Sequence, residues 1–386
     1  MQYINLGKLV ELKQGMAINS KSNHLVSKEE TSLPLLRIAD MPTRAKNVFM
    51  KEETPKRFVA EEDDIIYTRT GQVGLVFRKQ HGVVHNNCFR VYPIDKSVLD
   101  KDYLYWGLKT KSIYNFANSI AGGSAQPDLP HTTFKKIKFP FVDIEKQRKI
   151  AKILNKYEDI LEINTKRISL LEEEIEELYK EWFIRRKCQS KIIKLGEIIS
   201  FTRGLSYTSE QIQGEEGNNL INLGNIKPYG GFDISGIKKY SGEYKKQQIV
   251  QDGDLVMGIT DMTQDRRTVG SVALINNVKG INVISSDLII INSEINKNYL
   301  YCLFKYGGIS KHISQYANGT NVLHLRPDDV LKIKINFPSN DVIIDFSNFI
   351  SPILKKISLL NLENEMLISQ KDLLLPRLLS GKLEVK

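Results

Sequence analysis

Two groups of polar residues in this 386-residue chain have the types and spacing to hydrogen-bond the edges of nucleic-acid bases. The first is Arg69-Thr70-Gly71-Gln72, then Asn86-Asn87 and Arg90, with Ser124, Gln126 and His131 in and after a glycine-rich turn. The second is Thr260, Asp261, Thr263, Arg266 and Arg267, then Ser285-Ser286, then Asn318, Thr320, Asn321, His324 and Arg326. An arginine fork can take guanine O6 and N7 with two bonds, and Asn or Gln can take adenine N6 and N7 in the same way. Lys21, Arg44, Lys46, Lys227, Lys245 and Lys246 are candidates for phosphates, contacts that fix position without reading sequence. Taken singly, each is an ordinary solvated loop residue. The chemistry rests on the groups.

Other chemistries find no footing. The chain has no HExxH, GxSxG or GxxxxGK[ST] pattern. It also lacks an Asn-Pro-Pro-aromatic tetrapeptide and a glycine-rich cofactor loop after a strand. Pro127-Asp128 and Pro327-Asp328 read as turn residues, with Asp328 opening a local helical turn. Cys88, Cys188 and Cys302 lie far apart, so neither a disulfide framework nor a zinc site is indicated. No catalytic residue, metal ligand or cofactor of its own is therefore expected. No run approaches the ~18 apolar residues of a membrane helix, and the start lacks a signal-peptide layout. A cytoplasmic setting away from membranes is the expectation. The net charge of +10 fits a polyanionic partner. Most of the excess lies in residues 1–143, with 21 basic against 15 acidic residues; residues 188–341 carry 17 against 15.

The two polar groups belong to an internal duplication. Leu6-Gly7 before Gly15 matches Leu195-Gly196 before Gly204, at an offset of 189. Leu36, Ile38 and Asp40 match Ile221, Leu223 and Asn225, and Asp64-Ile65-Ile66 matches Asp254-Leu255-Val256. Tyr103-Leu104-Tyr105 matches Tyr299-Leu300-Tyr301, and Lys136-Ile137-Lys138 matches Lys332-Ile333-Lys334, both at 196. The offset drifts as it does when loops change length while the elements between them persist. Each copy reads as short strands and turns, then a helical stretch (Asp102 to Phe116, Lys297 to Tyr316), then a few extended residues.

A long helix follows each copy. Ile150, Ile153, Tyr157, Ile160, Asn164, Ile168, Leu171, Ile175, Leu178 and Trp182 form a heptad seam with one four-residue stutter. Phe346, Phe349, Ile353, Ile357, Leu360, Asn364, Leu367, Lys371 and Leu374 form the second, with Pro352 expected to kink it or move its start. Each seam holds one asparagine, a residue that costs stability when buried and fixes register. Two rods in one chain pair most simply with each other. The expected fold is α+β: two similar mixed α/β globular domains separated by two long helices forming an intramolecular antiparallel coiled coil. The expected boundaries are 1–143, 144–187, 188–341 and 342–386.

This layout resembles the specificity subunit of type I restriction–modification systems, over essentially the whole chain. Phe139-Pro140 followed by Glu145-Lys146-Gln147-Arg148-Lys149-Ile150 resembles the start of that family's first conserved helix, and Glu181-Trp182-Phe183 its end. Leu374-Leu375-Pro376-Arg377-Leu378-Leu379-Ser380-Gly381-Lys382-Leu383 resembles its C-terminus. The second helix departs: Asn340-Asp341-Val342-Ile343 lacks the Glu-x-Gln signature. The resemblance implies two target recognition domains, each reading one half of a split, asymmetric site on double-stranded DNA. It implies paired helices that set the unread spacer; a rod of about 44 residues would be about 66 Å long, against about 34 Å for one helical turn of DNA. It implies two methyltransferase (modification) subunits that carry S-adenosylmethionine, and restriction (motor-nuclease) subunits that use ATP and Mg. The Glu172-Glu173-Glu174 and Glu176-Glu177 run is a candidate partner surface. The alternatives are a coiled-coil scaffold with two ligand-binding lobes, or a fused restriction–methyltransferase fragment.

Overall fold

The computed structural model describes every residue except Met1, Ser124, 187–189, Gln264, Thr320, Asn321 and Lys386. It divides into two compact units, Met1–Ile160 with Ile368–Lys386, and Leu161–Leu367. Each unit thus contains one copy of the duplication and portions of both long helices. No helix among the described residues is long and apolar enough to cross a membrane.

In the first unit an antiparallel sheet runs in the order Val10–Gln14, Cys88–Pro93, Ile65–Thr68, Val76–Phe77. In the second the order is Ser200–Arg203, Leu288–Asn292, Leu255–Gly258, Val272–Leu274. The central strands Ile65–Thr68, Leu255–Gly258 and Leu288–Asn292 read as largely apolar runs because both faces are covered. Strand alternation sends Ile65 and Tyr67 into the core beneath the helices, and Ile66 into a separate cluster with Leu36 and Met41. In the second copy Leu255 and Met257 face the helices, and Val256 packs with Ile221 and Ile284. Each copy also has a parallel pair, Leu33–Leu36 with Gly82–Val84 and Asn218–Ile221 with Asn282–Ile284. A terminal hairpin-like pair closes each: Gln2–Asn5 with Lys138–Phe141, and Ser190–Lys194 with Lys334–Pro338. The matched glycines have a steric cause. A Cβ on Gly15 would lie 2.2 Å from the His85 carbonyl oxygen, and one on Gly204 2.0 Å from that of Ser285.

Each expected helical stretch is two helices. Lys101–Leu108 and Lys111–Ile120 are separated where Thr110 caps the second by accepting from the Ile113 N–H. Lys297–Lys305 and Ile309–Ser314 are separated by Gly307-Gly308, with Gly308 at φ +80°.

The first long helix is Ile144–Lys180, continued by a π-helical turn at Glu181–Arg185; the second is Asn340–Leu379. Pro352 does not end or delay the second helix. The carbonyl that loses its partner belongs to Asn348, which is exposed. The Glu-x-Gln signature has a structural role. Gln147 is fully buried, accepts from the Asp100 N–H at 2.9 Å and donates to the carbonyls of Val98 and Val142. At the matching place the second helix has Ile343, also buried, so an apolar contact replaces a polar one.

The helices pair with each other in antiparallel fashion. Asn164 donates to Asn364 Oδ1 at 3.0 Å and to Glu363 at 3.2 Å, while Tyr157 reaches Gln370 at 3.5 Å. Two seam assignments need correction. Phe349 is half exposed, and Ile350 takes the buried place beside Phe346, because this end of the helix faces its own domain's core. Ile160 is exposed, whereas Ala151 and Leu154 are buried against the first domain. Replacing Asn164 and Asn364 together with leucine is expected to raise stability by about 1 kcal/mol, the asparagines having traded stability for register. Chemical denaturation checks this, and a lower midpoint would contradict it.

Candidate nucleic-acid interface

In each copy the loop leaving a central strand lies beside the glycine-containing turn after the short helices, and one backbone scheme holds both. In the first copy the Arg69 N–H donates to the Asn87 carbonyl and the Arg69 carbonyl accepts from the Leu129 N–H, both near 2.9 Å. In the second, the Ile259 N–H donates to the Asp287 carbonyl and the Ile259 carbonyl accepts from Leu325. Thr70 and Gly122 bridge to Asp128; Thr260 and Asn318 bridge to His324. The backbone frame repeats while the side chains on it differ.

In the first copy Arg69 donates to both carboxylate oxygens of Asp128 (2.9 and 2.7 Å) and to Gln14 Oε1 at 3.3 Å. Thr70 donates to the same carboxylate at 2.5 Å. Partial burial pushes the Asp128 carboxyl up, but the bonds from Arg69 and Thr70 outweigh it and hold it below the ordinary carboxylate range. Gln14 also donates to the Asn86 carbonyl at 2.6 Å, so Asn86 and Asn87 act here through their backbone. Arg69 and Thr70 therefore fasten the turn to the sheet. Gln72 and Gln126 are exposed on the fastened loops, with the Gln126 amide close to Gly71. His131 packs edge-on against Phe89, and burial followed by the Arg69 charge lowers its pKa.

Arg90 is a correction. It is buried in the centre of an apolar strand, paired with Asp64 at 3.1 Å and bonded to the carbonyls of Val59 and Arg57. Burial keeps its guanidinium out of reach of a base, even though its Nε–H is left without a partner among the described residues. Lys21, Arg44 and Lys46 are exposed on the outer loops, Arg44 with a left-handed backbone at φ +55°. Ser124 lies outside the described residues.

In the second copy Thr260 and Asp261 are buried, so they support the loop and do not read. Thr260 donates to Asp287 at 3.1 Å. Asp261 accepts from the Thr263 N–H and hydroxyl at 2.8 Å, from the Thr268 N–H at 2.7 Å and from Val269 at 3.3 Å. Burial pushes this carboxyl up, but those donors prevail and hold it at about 2. Its stabilising effect is full above about pH 4 and fades as pH falls toward 2. Arg266 donates to the Gln315 carbonyl at 3.2 Å, and Arg267 pairs with Asp265. Thr263, Arg267, Asn318, His324 and Arg326 are exposed on this surface, as is Ser286, while Ser285 is buried. Lys245 and Lys246 are exposed, but Lys227 is bound to Asn361 on the second long helix at 3.0 Å. Thr320 and Asn321 lie outside the described residues.

The sequence shows Asp128 as a turn residue but not as the partner of Arg69, and it gives no sign of Gln14 or Met262. Asp128 and Gln14 are 59 and 55 positions from Arg69, with no local pattern to join them. Met262 is apolar in a polar loop and was not a candidate for base hydrogen bonds, yet it is 78% exposed.

Residues 1–173 match the family model for the type I restriction modification DNA specificity domain. The chain is 26% identical over 348 residues to the type I restriction enzyme MjaIX specificity subunit of Methanocaldococcus jannaschii, covering 83% of this chain and 78% of that one. It is 23% identical to the MjaVIII specificity subunit of the same organism, covering 86% and 82%. In fold it is similar to the crystal structure of the S subunit of a type I restriction–modification system from M. genitalium, with a TM-score of 0.65 at 16% identity over 98% of this chain and 95% of that one. Residues 1–173 thus match the DNA specificity domain, its sheet order recurs in the second copy, and over more than four-fifths of its length the chain is similar to type I restriction enzyme specificity subunits.

Proposed function

We propose that this chain is the DNA-reading subunit of its complex, each recognition domain reading one half of a bipartite, asymmetric site. The paired helices set the unread spacer and dock two modification subunits. Methyl transfer from S-adenosylmethionine to adenine N6, with the base flipping it requires, belongs to those subunits. ATP- and Mg-dependent cleavage belongs to the restriction subunits. The observation that supports this reading best is the repeated backbone frame bearing different exposed side chains, Gln72 and Gln126 on one copy against Arg267, His324 and Arg326 on the other. Two readers of different sequences need a shared scaffold and unlike contact groups.

The test is retention of duplex DNA by the chain assembled with its modification subunits. Affinity is expected to fall by about tenfold or more between 50 and 200 mM salt, as phosphate contacts release counterions. Salt-independent or absent retention would favour a scaffold with ligand-binding lobes. Methyl transfer by the chain alone would favour an enzyme.

A further inference from the structure

Two residues other than glycine hold a left-handed backbone at corresponding places of the two copies. Arg44 is at φ +55° and Tyr229 at φ +64°. They are 185 positions apart, the same offset that matches Asp40 with Asn225. Left-handed backbone costs a residue with a Cβ, and glycine adopts it freely. Tyr229 is the third residue of the turn Lys227-Pro228-Tyr229-Gly230, closed by the Gly230 N–H on the Lys227 carbonyl at 2.9 Å. Behind a proline that place ordinarily takes Gly or Asn. Here two glycines follow, Gly230 and Gly231, and the tyrosine keeps the strained place.

Each turn is fixed at its root and delivered to the side of its own reading loop. Asp40 is buried and accepts from Arg37 Nε at 2.5 Å and from Asn47 at 2.8 Å. Asn225 is buried and donates to the carbonyls of Asp233 and Ser235, both at 2.9 Å. Strand Leu33–Leu36 runs parallel to Gly82–Val84, and Asn218–Ile221 runs parallel to Asn282–Ile284. Parallel strands bring the chain out at the same edge of a sheet. From that edge one strand of each pair leads to Asn87 or Asp287, whose carbonyl holds the reading loop, and the other leads to the turn. In the second copy the turn is bonded to that loop directly, the Tyr229 N–H donating to the Arg267 carbonyl at 2.8 Å. Arg44 is exposed, and Tyr229 is 68% exposed, its side chain making no hydrogen bond among the described residues.

We propose that Arg44 and Tyr229 are equivalent contacts to the DNA backbone, each holding a phosphate beside the half-site read by its own domain, Arg44 through its charge and Tyr229 through its neutral hydroxyl. Arginine and tyrosine both bond phosphate oxygens, and such bonds set position without reading sequence. The strained backbone holds the side chain in place before DNA arrives. The inference rests on the reading that the neighbouring loops meet DNA. It adds Tyr229 to the contact residues, and it separates two kinds of contact: replacing a charge changes counterion release, and replacing a neutral donor does not.

The experiment measures binding of a duplex carrying the mapped site, across about 50 to 200 mM salt, by the chain assembled with its modification subunits. Y229F is expected to bind about fivefold more weakly than wild type at every salt concentration, with the slope of log affinity against log salt unchanged. R44A is expected to weaken binding and to flatten that slope by about one unit. The methylated motif in cells should stay the same for both. Y229N puts asparagine, which accepts a left-handed backbone, in place of the tyrosine. It should lose DNA affinity while its denaturation midpoint is no lower than that of wild type. Wild-type affinity in Y229F, or an unchanged slope in R44A, would overturn the proposal. So would a motif relaxed at one position by Y229F, which would make Tyr229 a base reader. Loss of a modification subunit from the Y229F assembly would make the turn a protein-docking surface and overturn it as well. A lower midpoint for Y229N would assign the tyrosine to the fold instead. If the wild-type assembly itself binds duplex without salt dependence, the DNA-reading function fails first, and this contact falls with it.

Discussion

Replacing Arg69 with alanine is expected to weaken discrimination at the first half-site by roughly 5- to 150-fold, about 1–3 kcal/mol, and to leave the second half-site unchanged. Arg69 has three bonds to the Asp128 carboxylate and one to Gln14, which in turn holds the Asn86 carbonyl. Its removal frees the turn that carries Gln126 and leaves the Asp128 carboxylate with Thr70 as its remaining side-chain donor among these bonds. Lysine is expected to restore little, because an ammonium cannot reproduce the two-pronged geometry of a guanidinium. Replacing Gln72 should instead relax a single position, since its side chain is exposed and fastens nothing in these contacts. The measurement is methylation of duplexes carrying single changes in one half or the other. Equal losses at both halves would contradict independent readers.

The second large effect concerns stability. Glu158 on the first long helix bonds Arg78 Nε at 2.7 Å and accepts from the Tyr105 hydroxyl at 2.7 Å, with Lys109 3.9 Å away. Asn155, one turn earlier, accepts from Arg78 and from the Trp106 indole N–H. Burial draws Lys109 down to about 8 against the opposing pull of Glu158. Glu158→Ala removes the anion and leaves Arg78 and Lys109 partly buried, with Asp102 the remaining ion-pair partner of Arg78. Unpairing charges in this way is expected to cost about 3 kcal/mol. Denaturant titration of the first unit's transition checks the loss, and a change under 1 kcal/mol would contradict the network's role. The second copy repeats the device with other partners: Lys305 bonds Glu172 at 3.0 Å and Tyr301 at 3.2 Å. Tyr105 and Lys109 match Tyr301 and Lys305, whereas Glu158 and Glu172 both stand on the first long helix.

The repeat framework was legible because its signals are local. Apolar runs such as Ile65-Ile66-Tyr67 and Leu255-Val256-Met257, the Tyr-Leu-Tyr helices and the sterically demanded Gly15 and Gly204 survive in both copies. Helix pairing was legible from heptad spacing and the two asparagines. At the site the reading was weaker, because polar side chains in loops look alike until their partners are placed. Arg90 lies between Phe89 and Val91 in a strand, a setting that points to burial with a carboxylate, and Asp64 supplies it. Asp261 followed two residues later by Thr263 has the spacing of a side chain that bonds its own loop. Asp128 and Glu158 gave no such local cue, since their partners come from distant parts of the chain.

The most direct measurement is a genome-wide map of N6-methyladenine in cells with and without this gene. Two specified half-sites separated by a fixed run of unspecified bases should disappear when the gene is removed. A single uninterrupted motif, or a methylation pattern that does not change, would contradict two readers held by one pair of helices.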